Sequence, residues 1–405
     1  MLARDLGKVL LGAWGLFFAV ANAGLDERAS KGTLKEQAFS PSNITNLTAQ
    51  FFTGQGSKRA QVTYGPFDVP NMNIENGMKD FIQYSVKVPC KDCLITFIQA
   101  GLEFPNGTYA NANTSLWLHH IVLYNLNNLD TVCGANVPGE RFFASGNERS
   151  AADISINGTN NAGYYIGMND TVGLLTELMN TATVNQTAVV TITYEYLPGI
   201  PASFNKVTPV WLDIGGCKSD EPAKNDTTFQ YTSPAWTANS TGRITCAIGH
   251  LHDGGTHLDI TKNNQTMCDC QTAYGQSPGY IDPMGSMMNM PGMQMGTHIS
   301  SLSECSTGQI NLGDNLTVTA YYNTSEYAPM VNTDGTLAPI MGIGILYLAQ
   351  NETSSSRSSS TSSTTLSSTG VATSTSKAAG CAMTVASGPA LFAGALGGMA
   401  ALGFV

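Results

Sequence analysis

The sequence predicts an all-β protein made of two tandem antiparallel β-sandwich, jelly-roll-like domains. Three observations lead there. Short runs rich in Val, Ile, Thr and Tyr recur along the body, each bounded by Gly, Asn, Asp or Pro, which is how many short strands joined by turns read. Stretches with the apolar period of a long amphipathic helix are hard to find. A Pro/Gly-rich join, Leu197-Pro198-Gly199-Ile200-Pro201, falls near the middle.

Taken in order, strands are expected at Leu94–Gln99, Leu116–Asn125, Val189–Tyr196 and Pro209–Ile214. Three more are expected at Arg243–His250, Asn315–Tyr322 and Gly342–Leu348. The join then divides the body into a first domain, 59–197, and a second, 201–351, preceded by a segment at 24–58. No internal repeat makes the halves copies of each other.

The two ends have other compositions. Arg4 and Lys8 precede an apolar run, Val9–Val20, and an Ala21-Asn22-Ala23 cleavage pattern, so residues 1–23 are expected to be a secretory signal peptide. Residues 353–377 are almost all Ser and Thr. They have too little apolar surface to repay the entropy of folding and read as an extended, O-glycosylated stalk. Small residues at 378–380, a weak spacer and an apolar tail to Val405 follow. Residues 378–405 thus read as a glycosylphosphatidylinositol-anchor signal, placing the protein on the outer face of the membrane or in the wall. A membrane helix is the alternative for the tail.

Thirteen N-x-Ser/Thr sequons fit a secretory route: Asn43, Asn46, Asn106, Asn113, Asn157, Asn169, Asn185, Asn225, Asn239, Asn264, Asn315, Asn323 and Asn351. Of nine cysteines, Cys381 lies in the anchor signal. The other eight, Cys90, Cys93, Cys133, Cys217, Cys246, Cys268, Cys270 and Cys305, read as four disulfides of open connectivity. Cys90-x-x-Cys93 is read as structural rather than redox-active or zinc-binding. The net charge is −10 with only nineteen Lys and Arg, so nucleic-acid binding is not expected, because it rests on neutralising phosphates.

Five of the six histidines lie in two clusters, His119-His120 and His250-x-His252 with His257. On a strand, i and i+2 share a face, so His250 and His252 present two imidazoles side by side, suited to copper or zinc. His119 and His120 point to opposite faces of a regular strand and serve one metal only where the strand bends or bulges. Six methionines crowd one loop, Met284, Met287, Met288, Met290, Met293 and Met295; thioethers prefer Cu(I), and a flexible lid is the alternative. His257 is open between a ligand, a supporting residue and a surface residue.

The order of these motifs resembles the copper type II, ascorbate-dependent monooxygenases, the family of peptidylglycine and dopamine hydroxylases. The likeness runs over about residues 60–350 and rests on Leu118-His119-His120-Ile121, His250-Leu251-His252 and Ile340-Met341-Gly342. The second half is also similar to the stress-up-regulated nodulins in His250-x-His252-x-Gly254-Gly255 and Met341-Gly342. The resemblance implies an oxygen-activating copper on His250, His252 and Met341, with a separate electron-transfer copper on His119 and His120. Met179 stands where that family places a third histidine, and Ile248 and Ile345 replace residues that anchor a peptide carboxylate, which argues against peptidylglycine activity. Three readings stay open: a monooxygenase with one or two coppers and an unnamed small-molecule substrate and reductant, a non-enzymatic copper-binding or buffering protein, and a metal-free wall glycoprotein.

Overall fold

The computed structural model describes residues 43–283, 296–305, 308–332 and 334–350. The expected signal peptide, most of the segment at 24–58, Asn351, the stalk, the anchor signal and the six-methionine loop lie outside the described residues. Within them the chain forms twenty strands, four short 3-10 turns and no α-helix. No described helix is long and apolar enough to cross a membrane. All seven expected strands form, most of them a residue or several longer than expected: Cys93–Glu103, Leu116–Asn125, Gln186–Pro198, Asn205–Asp213, Gly242–Leu251, Asn315–Asn323 and Gly342–Gln350.

Three sheets carry the architecture. A four-stranded sheet, in spatial order Met78–Gln83, Val172–Asn180, Leu116–Asn125 and Glu140–Gly146, belongs to the first half. A six-stranded sheet around Gly255–Lys262 and Asn315–Asn323 belongs to the second. Between them a ten-stranded sheet runs through both halves. Its crossing point is a short parallel pairing of Asn205 and Lys206 with Ala162 and Gly163. The join at 197–201 is therefore a strand end feeding a shared sheet, not a free linker.

The shared sheet explains the composition of the last strand. Ile343, Ile345 and Tyr347 pack into the first apolar cluster, while Leu346 and Leu348 pack into the second. A strand covered on both faces reads as a continuous apolar run, and eight of the nine residues of Gly342–Gln350 are buried. Polar ties cross the same boundary: the Tyr347 hydroxyl donates to the Phe142 carbonyl at 2.9 Å, and the Arg141 guanidinium lies 4.4 Å over the Trp211 ring.

Three disulfides form among the described residues, Cys90–Cys93, Cys133–Cys217 and Cys268–Cys305. The expected fourth, which would join Cys246 to Cys270, does not form. Cys246 packs in the first apolar cluster and Cys270 in the second, so the two side chains belong to different cores. Cys270 instead lies 3.3 Å from the Cys268 sulfur, and burial pushes its thiol up to about 12. Eleven of the twelve described sequon asparagines are exposed, and Asn323 is half-buried.

Candidate metal centre

His119 and His120 lie mid-strand in Leu116–Asn125. Against its neighbour Val172–Asn180, Leu118 pairs with Leu178 but His120 pairs with Glu177. His119 is thus the extra residue of a β-bulge. The bulge cancels the strict alternation of the strand, so both imidazoles reach the same side. His250 is the next-to-last residue of the strand Gly242–Leu251, and His252 follows the strand. Gly254 then turns the chain at φ 93, a left-handed conformation that a residue with a Cβ rarely adopts.

The four imidazoles converge between the two halves. The His120 Nε2 lies 3.1 Å from the His250 Nε2 and 2.9 Å from the His252 Nε2. The nearest ring nitrogens of His119, His120 and His252 all lie within 4.8 Å of one another, so this buried group could hold a metal ion. All four residues are less than 10% exposed.

Each of three rings is held from behind. The His120 Nδ1 donates to the Glu177 Oε2 at 2.6 Å, the His250 Nδ1 to the Glu148 Oε1 at 3.0 Å, and the His252 Nδ1 to the Pro339 carbonyl at 2.8 Å. A carbonyl and a carboxylate accept only, so the proton of each neutral ring sits on Nδ1 and each Nε2 presents a lone pair inward. Burial, then the neighbouring His120, His250 and His119, drives His252 well below the ordinary histidine pKa, so its ring stays neutral. Burial pushes the Glu148 carboxyl upward, but His250 and the Gly146 backbone N–H outweigh it and hold the carboxyl below its usual range.

Neutral rings so placed face the His120 lone pair with those of His250 and His252 at 3.1 and 2.9 Å, which repel unless a cation stands between them. With metal–nitrogen bonds of about 2.0 Å, adjacent ligands lie roughly 2.8–3.4 Å apart. The observed separations match one ion shared by both motifs. Copper and zinc both accept neutral imidazole.

The other expected ligands are placed differently. Met341 is buried in the first apolar cluster, and its carbonyl accepts from the Tyr322 hydroxyl at 2.5 Å. It lines neither cavity at the histidines. Met179 lines the wall of a cleft of about 390 Å³ with His119, His252, Glu177, Met330 and Pro339. Lys79 and Asp80 also line this cleft. Ile248 and Ile345 pair across two strands inside the first core. His257 stacks on Tyr321 at 4.1 Å, beside Asp259 and Asp269, away from the centre.

Sequence reasoning gave no role to Glu148, Glu177 or the Asp253–His298 pair. A single Glu in the apolar strand Val172–Asn180 was the available signal for Glu177. Nothing in the sequence ties Glu148 to a histidine 102 residues away.

No family model matches the chain. It is 36% identical over 298 residues to the probable copper-dependent oxygenase M1 of a Phoma species, covering 73% of this chain and 74% of that one. It is 37% identical over 255 residues to the probable copper-dependent oxygenase clz3 of Cochliobolus lunatus, covering 62% and 78%. Among solved structures, a glycosylasparaginase from Flavobacterium meningosepticum shares 10% identity over 77% of this chain and 97% of its own, with a TM-score of 0.33, a likeness too slight to bear on function.

Proposed function

We propose a function from one premise: the chain belongs to the family of copper-dependent oxygenases. On that premise His119, His120, His250 and His252 hold one copper ion, and the protein oxidises a C–H bond of an organic substrate lodged in the adjoining cleft. The observation that carries the reading is the inward convergence of imidazole lone pairs at 2.9 and 3.1 Å. Copper, when bound, supplies the electron-transfer and dioxygen chemistry.

The chain's own residues do the rest. Glu177, Glu148 and the Pro339 carbonyl fix the tautomer and aim of three rings, and such partners raise ligand basicity and affinity. His119 and His252 form one wall of the cleft, so a substrate there lies directly against the ligands. Met179, Met330 and Pro339 give it an apolar seat, while Lys79 and Asp80 offer polar contacts. A cleft of this size favours an enzyme over a copper buffer, which needs ligands but no seat. Hydroxylation also consumes two electrons and two protons per dioxygen and releases water, so an external reductant of the ascorbate class is required.

The signal-like leader expected from the sequence, the exposed sequon asparagines and the disulfides support reading the protein as extracellular and surface-anchored. Release from intact cells by a phosphatidylinositol-specific phospholipase tests the anchor; full retention contradicts it. For the activity, copper-loaded protein with ascorbate is expected to consume dioxygen, and His252→Ala is expected to lose both copper and uptake. Undiminished uptake by that variant contradicts the proposal.

A further inference from the structure

Next to the wide cleft, and sharing His119 and Met330 with it, lies a second, much smaller recess of about 30 Å³. His119 and His250 line it together with Trp117, Asn147 and His298. Trp117, Asn147 and His298 all carry buried polar atoms with no hydrogen-bond partner: the His298 Nε2, both ends of the Asn147 amide and the Trp117 Nε1.

His298 is not loose in this position. Its Nδ1 donates to the Asp253 Oδ2 at 2.6 Å, and the other Asp253 oxygen accepts from the Ile299 backbone N–H at 3.0 Å. The Trp117 ring packs edge-on against the imidazole with centroids 3.9 Å apart. The ring is thus gripped as the metal-facing histidines are, with a carboxylate behind it and its Nε2 left over.

Leaving a buried polar atom unsatisfied is costly, and native proteins carry few of them. Four such atoms on three residues that line one recess beside the ligands point to an occupant that hydrogen-bonds. The recess admits one or two small molecules at most, since a water needs roughly 10–15 Å³ on the same measure. Two of the groups, the indole N–H and the amide NH₂, donate only. The other two, the Asn147 amide oxygen and the His298 Nε2 whose ring proton sits on Nδ1, accept only, so the matching occupant is small and both accepts and donates hydrogen bonds.

We propose that this recess is the pocket for the small oxygen ligand of the centre, dioxygen or its reduced forms, with Trp117, Asn147 and His298 as its hydrogen-bonding residues. The organic substrate uses the wide cleft, and the two reactants occupy separate pockets that meet at His119. This rests on the copper reading above and adds a division of labour to it. Nothing in the pattern of metal ligands requires His298, which lies past the six-methionine loop and on a different element.

Azide, a small acceptor-rich anion, is the probe. Titrated into copper-loaded full-length protein, it is followed by its charge-transfer band and by the electron paramagnetic resonance of the copper. The unaltered protein is expected to bind azide. Asn147→Ala is expected to weaken it about ten- to hundred-fold at unchanged copper content, the loss of one hydrogen bond to a charged group. Trp117→Phe, which keeps the ring and removes the donor, is expected to do the same. Glu75→Gln, in the lining of the wide cleft, is expected to leave azide affinity unchanged. Azide affinity within two-fold of the unaltered protein in Trp117→Phe and Asn147→Ala, with copper retained, overturns the proposal and leaves the recess a site for structural water. Failure of the unaltered protein to bind copper overturns the copper reading itself, and this inference with it.

Discussion

The His120 Nε2 lies 2.9 Å from the His252 Nε2, although the two residues are 132 apart in the chain and come from different halves of the protein. The contact makes the centre a joint product of two sandwiches that share a sheet. Its integrity depends on what holds the rings and what holds the halves.

Glu177 accepts from His120 at 2.6 Å. Glu177→Gln keeps the shape but removes the charge and allows the amide to turn its NH₂ toward the ring. Copper affinity is expected to fall about 10- to 100-fold, the usual cost of losing such a partner, with the fold intact. Competition titration against a copper chelator measures it; unchanged affinity removes Glu177 from the account.

Gly146 touches His250 from the side. A Cβ built there would lie 2.6 Å from the His250 Cε1 and 2.7 Å from the Glu148 Oε2. Gly146→Ala is therefore expected to push the imidazole off its carboxylate and lower copper affinity about tenfold or more without touching a ligand atom. An electron paramagnetic resonance spectrum identical to the unaltered protein's would show that the ring has room to spare.

The Cys133–Cys217 disulfide ties the first half to the second across a separation of 84 residues. Cys217→Ser is expected to cost about 2–5 kcal/mol of stability and, because the histidines come from both halves, to weaken copper binding as well. Chemical denaturation read with and without copper checks both effects. A loss of stability with no loss of affinity would mean that the shared sheet alone fixes the halves.

Asp213 gives a pH dependence independent of the centre. Burial raises its carboxyl from 3.8 to about 6. The folded state therefore binds more protons than the unfolded state between those values, and stability declines as pH rises through that window. Above it the buried carboxylate is a standing cost. Asp213→Asn, which can still accept from the Gly215 backbone N–H, is expected to gain about 1 kcal/mol or more at pH 8 and little at pH 3. An equal effect at both values contradicts the assignment.

Much of this protein was legible residue by residue. The strand at Leu116–Asn125 was read to its ends, and His250 and His252 share a side as alternation on a strand requires. The bulge at His119 was needed for the tandem pair to act together, but a bulge is set by pairing with Val172–Asn180 and leaves no local mark. The approach of the two histidine motifs was not legible at all. It follows from a parallel pairing of two residues on each side, Ala162 and Gly163 with Asn205 and Lys206, that merges the halves into one sheet. For the same reason the motif order implied two separate centres, with Met341 at one of them. The fold instead gathers the imidazoles together and leaves Met341 in the apolar core.

The most direct test is the copper content of the copper-reconstituted, desalted protein, measured by elemental analysis with the resonance spectrum of the same sample. One copper per chain, ligated by nitrogen and lost in either His120→Ala or His252→Ala, is the predicted result. Two coppers per chain, with one surviving each of those substitutions, would contradict the single shared centre.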